Sequence, residues 1–513
     1  VAHIGVLKVL EELRVPIDCL VGTSMGAIIG GAWASGRSAA EIEKLVRSVD
    51  WDQVLDDDLP RPDRSARAKE LERLHITRTE LGIRDREVAV PVGVLVGQQL
   101  EPVLHALAGP QAPVESFDEL PIPFRAIATD IETGRMVVLE RGSVTASMRA
   151  SMSVPGVFAP QEIDGRLLAD GGLVRNLGID VARDQLGAER VIAINLGTPL
   201  LKREQLGSLF GMTEQMLNIL TEQNVNVSRG EIDDEHDVLI EPDLGDFSSA
   251  DFEHSSKTIE IGERAAREAA DRLAPYTVPD PFYVAWLHGR HNVARIESAA
   301  SVRVATAGLR RVAPESARAI FSSATGDDPS EESLRRGVRA LYRTEDFELV
   351  SVRIDGAGSA ADVIVEPREK SWGPNYARFG LTLSTDGEGE SAFNVLADLR
   401  GTWLNRDALE WRTTASLGDI SALRTELLQP LDLRRKIFVA GAIDFGQRLD
   451  EFFIDDRSVA RYRNRGMRAS FDFGRYIGTL GEARIGYEIA RVSSRLISGL
   501  AAVPNSEDDI GAV

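Results

Sequence analysis

Cysteine is nearly absent from this chain of 513 residues: Cys19 is the only one, so no intramolecular disulfide can form. Its place in the apolar run Cys19-Leu20-Val21 predicts a small buried side chain rather than a redox group. Long apolar runs are also missing. None approaches the roughly 18 residues that a membrane helix needs, which excludes a helical span. Positive charge is in short supply, with 59 Lys and Arg against 80 Asp and Glu and a net charge of −21. A chain this acidic repels phosphate backbones, and no local basic patch offsets that field, so nucleic acid is excluded as a partner.

What is present describes a folded protein. Hydrophobic residues make up 43% and charged residues 27% of the chain, with Gly 45 and Pro 22, which rules out collagen-like, low-complexity and wholly disordered readings. At about 150 residues per domain the length predicts two to four domains. The chain opens at Val1, already inside a helical pattern and without a leader. It is expected to be a piece truncated at its N-terminus, so a missing targeting segment says nothing about the compartment.

Three kinds of pattern follow one another. Residues 1–276 alternate helix and strand signals and predict an α/β domain. Ile4, Leu7, Leu10 and Leu13 recur at helical spacing, Ile17 to Val21 reads as a buried strand, and Ala27 to Ala34 reads as a small-residue helix. Further strands are expected at Phe124 to Ala128, Met136 to Leu139 and Val191 to Leu196, the last as a central parallel strand. The proline-punctuated segment 277–287 reads as a linker. Residues 288–370 run strand, helix, helix, strand, strand, a small α+β module with its turn at Asp355-Gly356-Ala357-Gly358. Residues 371–513 alternate apolar with charged or small residues, as in Phe379, Leu381 and Leu383 against Arg378, Gly380 and Thr382. Six or seven such strands are visible. Period-two alternation fits a transmembrane β-barrel or a soluble β-sandwich alike, since it does not tell whether the apolar face meets lipid or a second sheet. As a barrel it would be partial, because an open edge in lipid strands backbone N–H and C=O groups, and the chain is expected to be truncated at its C-terminus as well.

Gly22-Thr23-Ser24-Met25-Gly26 is a G-x-S-x-G string set between a predicted strand and a small-residue helix. The flanking glycines Gly22 and Gly26 allow a sharp turn, and the turn lifts the Ser24 hydroxyl above the sheet. In another setting the same serine would be an ordinary helix cap. A serine hydroxyl needs a base, and the seven histidines are His3, His75, His105, His236, His254, His288 and His291. In the chain order of a Ser-acid-His triad the base would be His236 or His254, yet both lie in polar stretches that read as solvated surface. An aspartate can serve instead. Asp170-Gly171-Gly172 follows Leu167-Leu168, which sets Asp170 at a strand end on a glycine turn.

The elbow, the stretch Ala150-Ser151-Met152-Ser153-Val154-Pro155-Gly156-Val157-Phe158-Ala159-Pro160 and Asp170-Gly171-Gly172 together resemble the patatin-like phospholipases over most of residues 1–200. The resemblance implies a Ser-Asp dyad with Ser24 as nucleophile and Asp170 as general base, supported by Gly22, Met25, Gly26, Gly171 and Gly172 around the motif and the oxyanion. It implies no metal and no organic cofactor. Thr129-Asp130 and the helix ending at Ser151 match family positions that read as scaffold. The family's glycine-rich oxyanion loop would precede Ala2-His3-Ile4-Gly5, and losing such donors costs roughly 10²- to 10³-fold in rate each, so the piece alone is expected to be nearly inert. Asn176-Leu177-Gly178 has Gly where the family usually has Pro.

Leu341 to Val350 is similar to a POTRA helix-to-strand signature, while Trp372-Gly373-Pro374-Asn375-Tyr376 and Glu426 to Leu431 resemble the bacterial surface-antigen barrel. Patatin, POTRA and barrel in that order resemble the patatin-class type V autotransporters. That resemblance implies an outer-membrane location in a Gram-negative bacterium, with the hydrolase domain surface-exposed or periplasmic. It also implies a phospholipid substrate and a possible homo-oligomer. Two alternatives stand beside the Ser-Asp lipase: a translocator or docking protein with a passive patatin domain, and a Ser-His-Asp triad esterase.

Overall fold

The structure, a computed structural model, describes residues 1–74, 80–84, 87–90, 93, 95–109, 113–197, 200–245, 247, 255–290, 298–326, 330–356, 360–385, 391–454, 457–499 and 505–512. They divide into two compact units. One comprises Val1–Asp58, Val92–Arg303 and Val352–Ile364; the other comprises Leu59–Pro91, Val304–Ser351 and Val365–Val513.

The first unit is an α/β sandwich. Helix α1 (His3–Glu12) leads to strand β1 (Leu20–Thr23), which turns into helix α2 (Met25–Ala34). Strands β2 (Phe124–Asp130) and β3 (Arg135–Leu139), helix α3 (Val144–Ser151), and strands β4 (Gln161–Ile163) and β5 (Arg166–Asp170) follow. The sheet runs β1-β2-β5-β4, with β3 also pairing to β2. Every residue of β2 is buried, as expected of a strand covered on both faces. The core around it gathers Ile4, Leu7, Ile29, Trp33, Phe124 and Met148.

Three expectations are corrected here. Among the described residues Ile192–Ile194, read as a central strand, pairs only with Val238–Ile240 in a separate two-stranded parallel sheet. Three residues fix its pairing; Ala193 joins a small satellite core with Leu177 and Ile179, while Ile192 and Ile194 pack against the main core. Much of the expected linker is helix Asp280–Arg290. Its Tyr283 stacks on Trp286 at 5.1 Å, and Trp286 lies 6.1 Å from Trp33 of the core. Cys19 is half-buried rather than sealed inside.

The small α+β module has the expected order: strand Ser298–Val304, helices Pro314–Thr325 and Glu331–Tyr342, and strands Phe347–Asp355 and Ala360–Glu369 in a three-stranded sheet. Part of its turn, at 357–359, lies outside the described residues.

The second unit holds a ten-stranded sheet. Eight strands from Asn375–Thr385 to Ser506–Ala512 pair antiparallel in chain order. The remaining two come from far upstream: Leu81–Ile83 pairs with Asn375–Ala377, and Leu81–Arg84 forms a hairpin with Glu87–Ala89. Residues 59–91 therefore join this unit, although the alternating pattern placed them within the α/β domain.

The two faces of this sheet decide between sandwich and barrel. Leu383, Phe471 and Ile485 are 73%, 63% and 69% exposed, and they share their face with Phe379, Val395, Leu423, Ile443, Phe445 and Ile489. The opposite face buries charge: Asp398 and Glu426 are 3% and 7% exposed. Arg412 bonds Asp398 at 2.7 Å, Arg484 bonds Glu426 at 3.0 Å, and Arg67 reaches Glu426 at 2.7 Å and Glu410 at 3.1 Å. A soluble sandwich hides its apolar face and wets its polar one. Here the order is inverted, which is the pattern of a transmembrane β-barrel.

Candidate active site

The strand register brings the two motif residues to one end of the sheet. Thr23 pairs with Ile127 in the parallel β1–β2 ladder, and the next residue of β2, Ala128, pairs with Asp170 of β5. Ser24 and Asp170 thus emerge on either side of the same central strand, about two strand spacings of roughly 4.8 Å apart along the backbone. Two side chains span that gap.

Ser24 occupies the turn itself, with φ 53° and ψ −122° as the N-cap of α2. A non-glycine residue at positive φ costs energy of order 1–3 kcal/mol and persists only where its surroundings enforce it. The enforcement is visible. A Cβ on Gly22 would stand 2.5 Å from the Gly26 carbonyl oxygen and 2.7 Å from Ala27, so only glycine lets strand and helix meet this closely. From the other side, Ser151 Oγ accepts the Ser24 amide at 2.9 Å and donates to the Ile127 carbonyl at 2.6 Å.

Asp170 caps the 3₁₀ turn Gly171–Leu173, and its Oδ1 accepts the Gly172 amide at 2.7 Å. Its backbone is tied on both sides, the amide to the Ser153 carbonyl at 2.9 Å and the carbonyl to Thr129 Oγ1 at 2.8 Å. A side chain on Gly171 would collide with the Ile127 carbonyl. The other carboxylate oxygen, Oδ2, is buried and forms no hydrogen bond of good geometry. Burial pushes the Asp170 carboxyl up to about 6, against the opposing pull of the Ser24 side chain and the Gly172 amide. The Ser24 side chain is thus among the groups that act on this carboxyl.

Both residues line one cleft of about 2450 Å³, together with His3, Leu173, Leu177, Leu217 and Leu244. Its wall combines an apolar lining with a few convergent polar groups, as ligand sites do. Arg149 supports the floor from beneath: wholly buried, it donates to Ser153 Oγ at 2.7 Å and to the Val96 and Ala159 carbonyls at 2.9 and 3.2 Å.

The histidines separate clearly. His236 is exposed at the surface, with Nδ1 2.9 Å from Asp233. His105 sits 3.7 Å from Glu101 on its own helix. His75, His254 and His291 lie outside the described residues. Among the described residues His3 is the histidine beside the elbow, its Nε2 3.6 Å from where a Gly26 Cβ would stand, and burial pushes its imidazolium down to about 3. It is thus a neutral wall of the cleft. Nothing in the helical spacing of α1 marks it for that place. Among the described residues no cluster of His, Cys, Asp and Glu could hold a metal ion.

Residues 1–183, which include Ser24 and Asp170, match the family model described as patatin-like phospholipase. An uncharacterized NTE family protein of Mycobacterium tuberculosis is 34% identical over 195 residues, covering 38% of this chain and 45% of that protein. Human patatin-like phospholipase domain-containing protein 6 is 32% identical over 200 residues, covering 38% of this chain and 12% of that protein. The chain spans less than half the length of these curated relatives. Among solved structures, BamA from Haemophilus ducreyi lacking POTRA domains 1–3 is similar at 14% identity and a TM-score of 0.29, over 40% of this chain and 37% of that one. The assignment of the large sheet rests on its own two faces.

Proposed function

We propose that this chain is a lipid acyl hydrolase that cleaves carboxylic esters of phospholipids through a Ser24–Asp170 dyad, carried on an outer-membrane β-barrel. The observation that carries the reading is the meeting of a strained, helix-capping Ser24 with a buried Asp170 whose Oδ2 lacks a hydrogen bond, both at the wall of an apolar cleft. A carboxyl at about 6 is mostly ionised near neutrality yet basic enough to accept a proton.

The chemistry balances without a histidine. Ser24 Oγ attacks the ester carbonyl carbon while its proton passes to Asp170 Oδ2. The oxyanion develops near the amide of Met25, at the positive end of α2. Collapse breaks the ester C–O bond, and the leaving lysophospholipid oxygen takes the proton from Asp170. Water then attacks acyl-Ser24 and gives its proton to Asp170; breakdown releases the fatty acid and returns the proton to Ser24.

The test is ester hydrolysis and labelling by a fluorophosphonate serine probe in the whole protein. Loss of labelling with Ser24→Ala and loss of turnover with Asp170→Asn support the dyad. Full activity of Asp170→Asn refutes it, and loss on changing His236 or His254 would favour a triad. A translocator with a passive hydrolase domain is the second reading, supported by the lipid-facing sheet. Absence of hydrolysis and of labelling in the intact wild-type protein would favour it. A phospholipid partner, exposure of the hydrolase at the cell surface or in the periplasm, and a homo-oligomeric assembly belong to this proposal.

A further inference from the structure

The turn that carries Asp170 is held from a part of the chain beyond the family-matched span of residues 1–183. Helix α4 (Leu209–Arg229) lies against it. Asn224 Nδ2 donates to the Gly172 carbonyl at 2.7 Å and to the Leu220 carbonyl at 3.1 Å, while its Oδ1 accepts the Asn176 amide at 2.8 Å. Thr221 Oγ1 adds a second donor to the Gly172 carbonyl at 3.2 Å. One turn further, Ser228 Oγ accepts from Arg175 at 3.2 Å. The side chain of Asn224 thereby uses both donors and its acceptor, and two of those three bonds close on residues 172 and 176.

We infer that Asn224 is a positioning residue for Asp170, acting through the Gly172 backbone and the chain up to Asn176. Gly172 is the residue whose amide holds Asp170 Oδ1. Having no side chain, it relies on neighbours to fix its rotation. With its carbonyl clamped by Asn224 and Thr221, its amide stays aimed at Oδ1, and Oδ2 is left without a hydrogen bond. The clamp stabilises the ionised carboxylate, because a hydrogen bond to the charged form favours that form. This inference rests on the Ser24–Asp170 reading and adds to it a contribution from α4.

The experiment compares Asn224→Ala, Asn224→Asp and Thr221→Val in the whole protein, using a water-soluble p-nitrophenyl acyl ester. Asn224→Asp has the same shape and keeps the acceptor for Asn176 but removes the donor to Gly172. The expected result is a fall in kcat of about tenfold for Asn224→Ala and Asn224→Asp, with KM changed less than about twofold. The acid limb of the pH profile should also move to higher pH, further for Asp than for Ala because it adds a like charge near Asp170. Thr221→Val should give the same signature at about two- to threefold. A packing role alone would leave the plateau kcat of Asn224→Asp close to wild type and the acid limb of the neutral Thr221→Val unmoved, and that result overturns the inference while Ser24→Ala remains inactive. Amide hydrogen exchange across residues 170–177 reads the clamp independently of turnover. Faster exchange in Asn224→Asp at an unchanged thermal midpoint supports the clamp, and unchanged exchange removes it, whether or not the wild-type protein hydrolyses the ester.

Discussion

Ser151 Oγ accepts the backbone amide of Ser24 at 2.9 Å, across 127 residues of sequence, and passes the bond on to the Ile127 carbonyl at 2.6 Å. One hydroxyl thus links the last turn of α3, the elbow and the central strand. It is fully buried, so no water stands ready to replace it. Ser151→Ala removes both bonds, at about 1–3 kcal/mol for each group left unsatisfied. The expected outcome is a thermal midpoint lowered by several degrees and a fall in kcat larger than any change in KM. A kcat equal to wild type would show that the elbow holds its backbone without this bond.

The acidity of Asp170 makes two linked expectations. Turnover should rise with pH through about 6, as the carboxylate forms. Stability should run the other way. The carboxyl is raised in the folded chain from 3.8 to about 6, so the folded state holds this proton more tightly than the unfolded one. That contribution is complete below about pH 4 and is lost as pH rises through about 6. Asp170→Asn removes the buried charge, and it should be inactive yet melt higher than wild type at pH 8, by up to about 3 kcal/mol, with the difference gone near pH 4. A variant that melts lower at pH 8 would contradict the burial argument.

Gly22→Ala places a methyl group 2.5 Å from the Gly26 carbonyl oxygen and 2.7 Å from Ala27. Neither neighbour is a flexible side chain that can step aside. The elbow must open, at a cost of several kcal/mol of the kind overpacked sites show, and labelling of Ser24 should fall below about a hundredth of wild type. Gly156→Ala, where nothing lies within 4 Å of the added carbon, serves as the control: φ +82° there is strained for alanine, but the elbow is untouched and labelling should persist.

On the large sheet, Phe471→Arg and Ile443→Arg put a charge on the exposed apolar face. Lipid-facing arginine near mid-bilayer costs about 2–4 kcal/mol in barrels of this kind. Each variant should fold less well into phospholipid vesicles, read by heat-modifiable mobility or protease protection, while Ser421→Arg near a strand end should change little. Equal insertion of all three would return the sheet to a soluble reading.

The sequence made some of this legible and hid the rest for physical reasons. The elbow and the Asp-Gly-Gly turn are local devices: each needs glycine within a residue or two of its polar side chain, so each leaves a short string. The strand-helix-helix-strand-strand order of the small module shows for the same reason, because periodicity is local. The roles of His3, Ser151 and Asn224 are set by pairing across tens to hundreds of residues, which no window detects. Alternation marked most strands of the large sheet but missed Ile420–Pro430 and Ser506–Ala512, whose patterns are broken by small and acidic residues. Apolar alternation also left lipid and sandwich equal until burial showed which face was wet. Val191 to Leu196 misled because an apolar run of strand length fits a central strand and a satellite pair equally well.

Residues 59–91 carry a practical consequence for anyone who wishes to excise the α/β unit. A cut at position 276 would retain Arg67 and Glu80 but discard Glu426 and Glu410, the counter-ions of the first, along with Lys370 and Arg378, which bond the second at 2.7 and 3.2 Å. The truncated product would display orphaned charges and a sticky hairpin edge. Replacing the loop with a short glycine-serine bridge between Asp58 and Gly93 is the cleaner surgery.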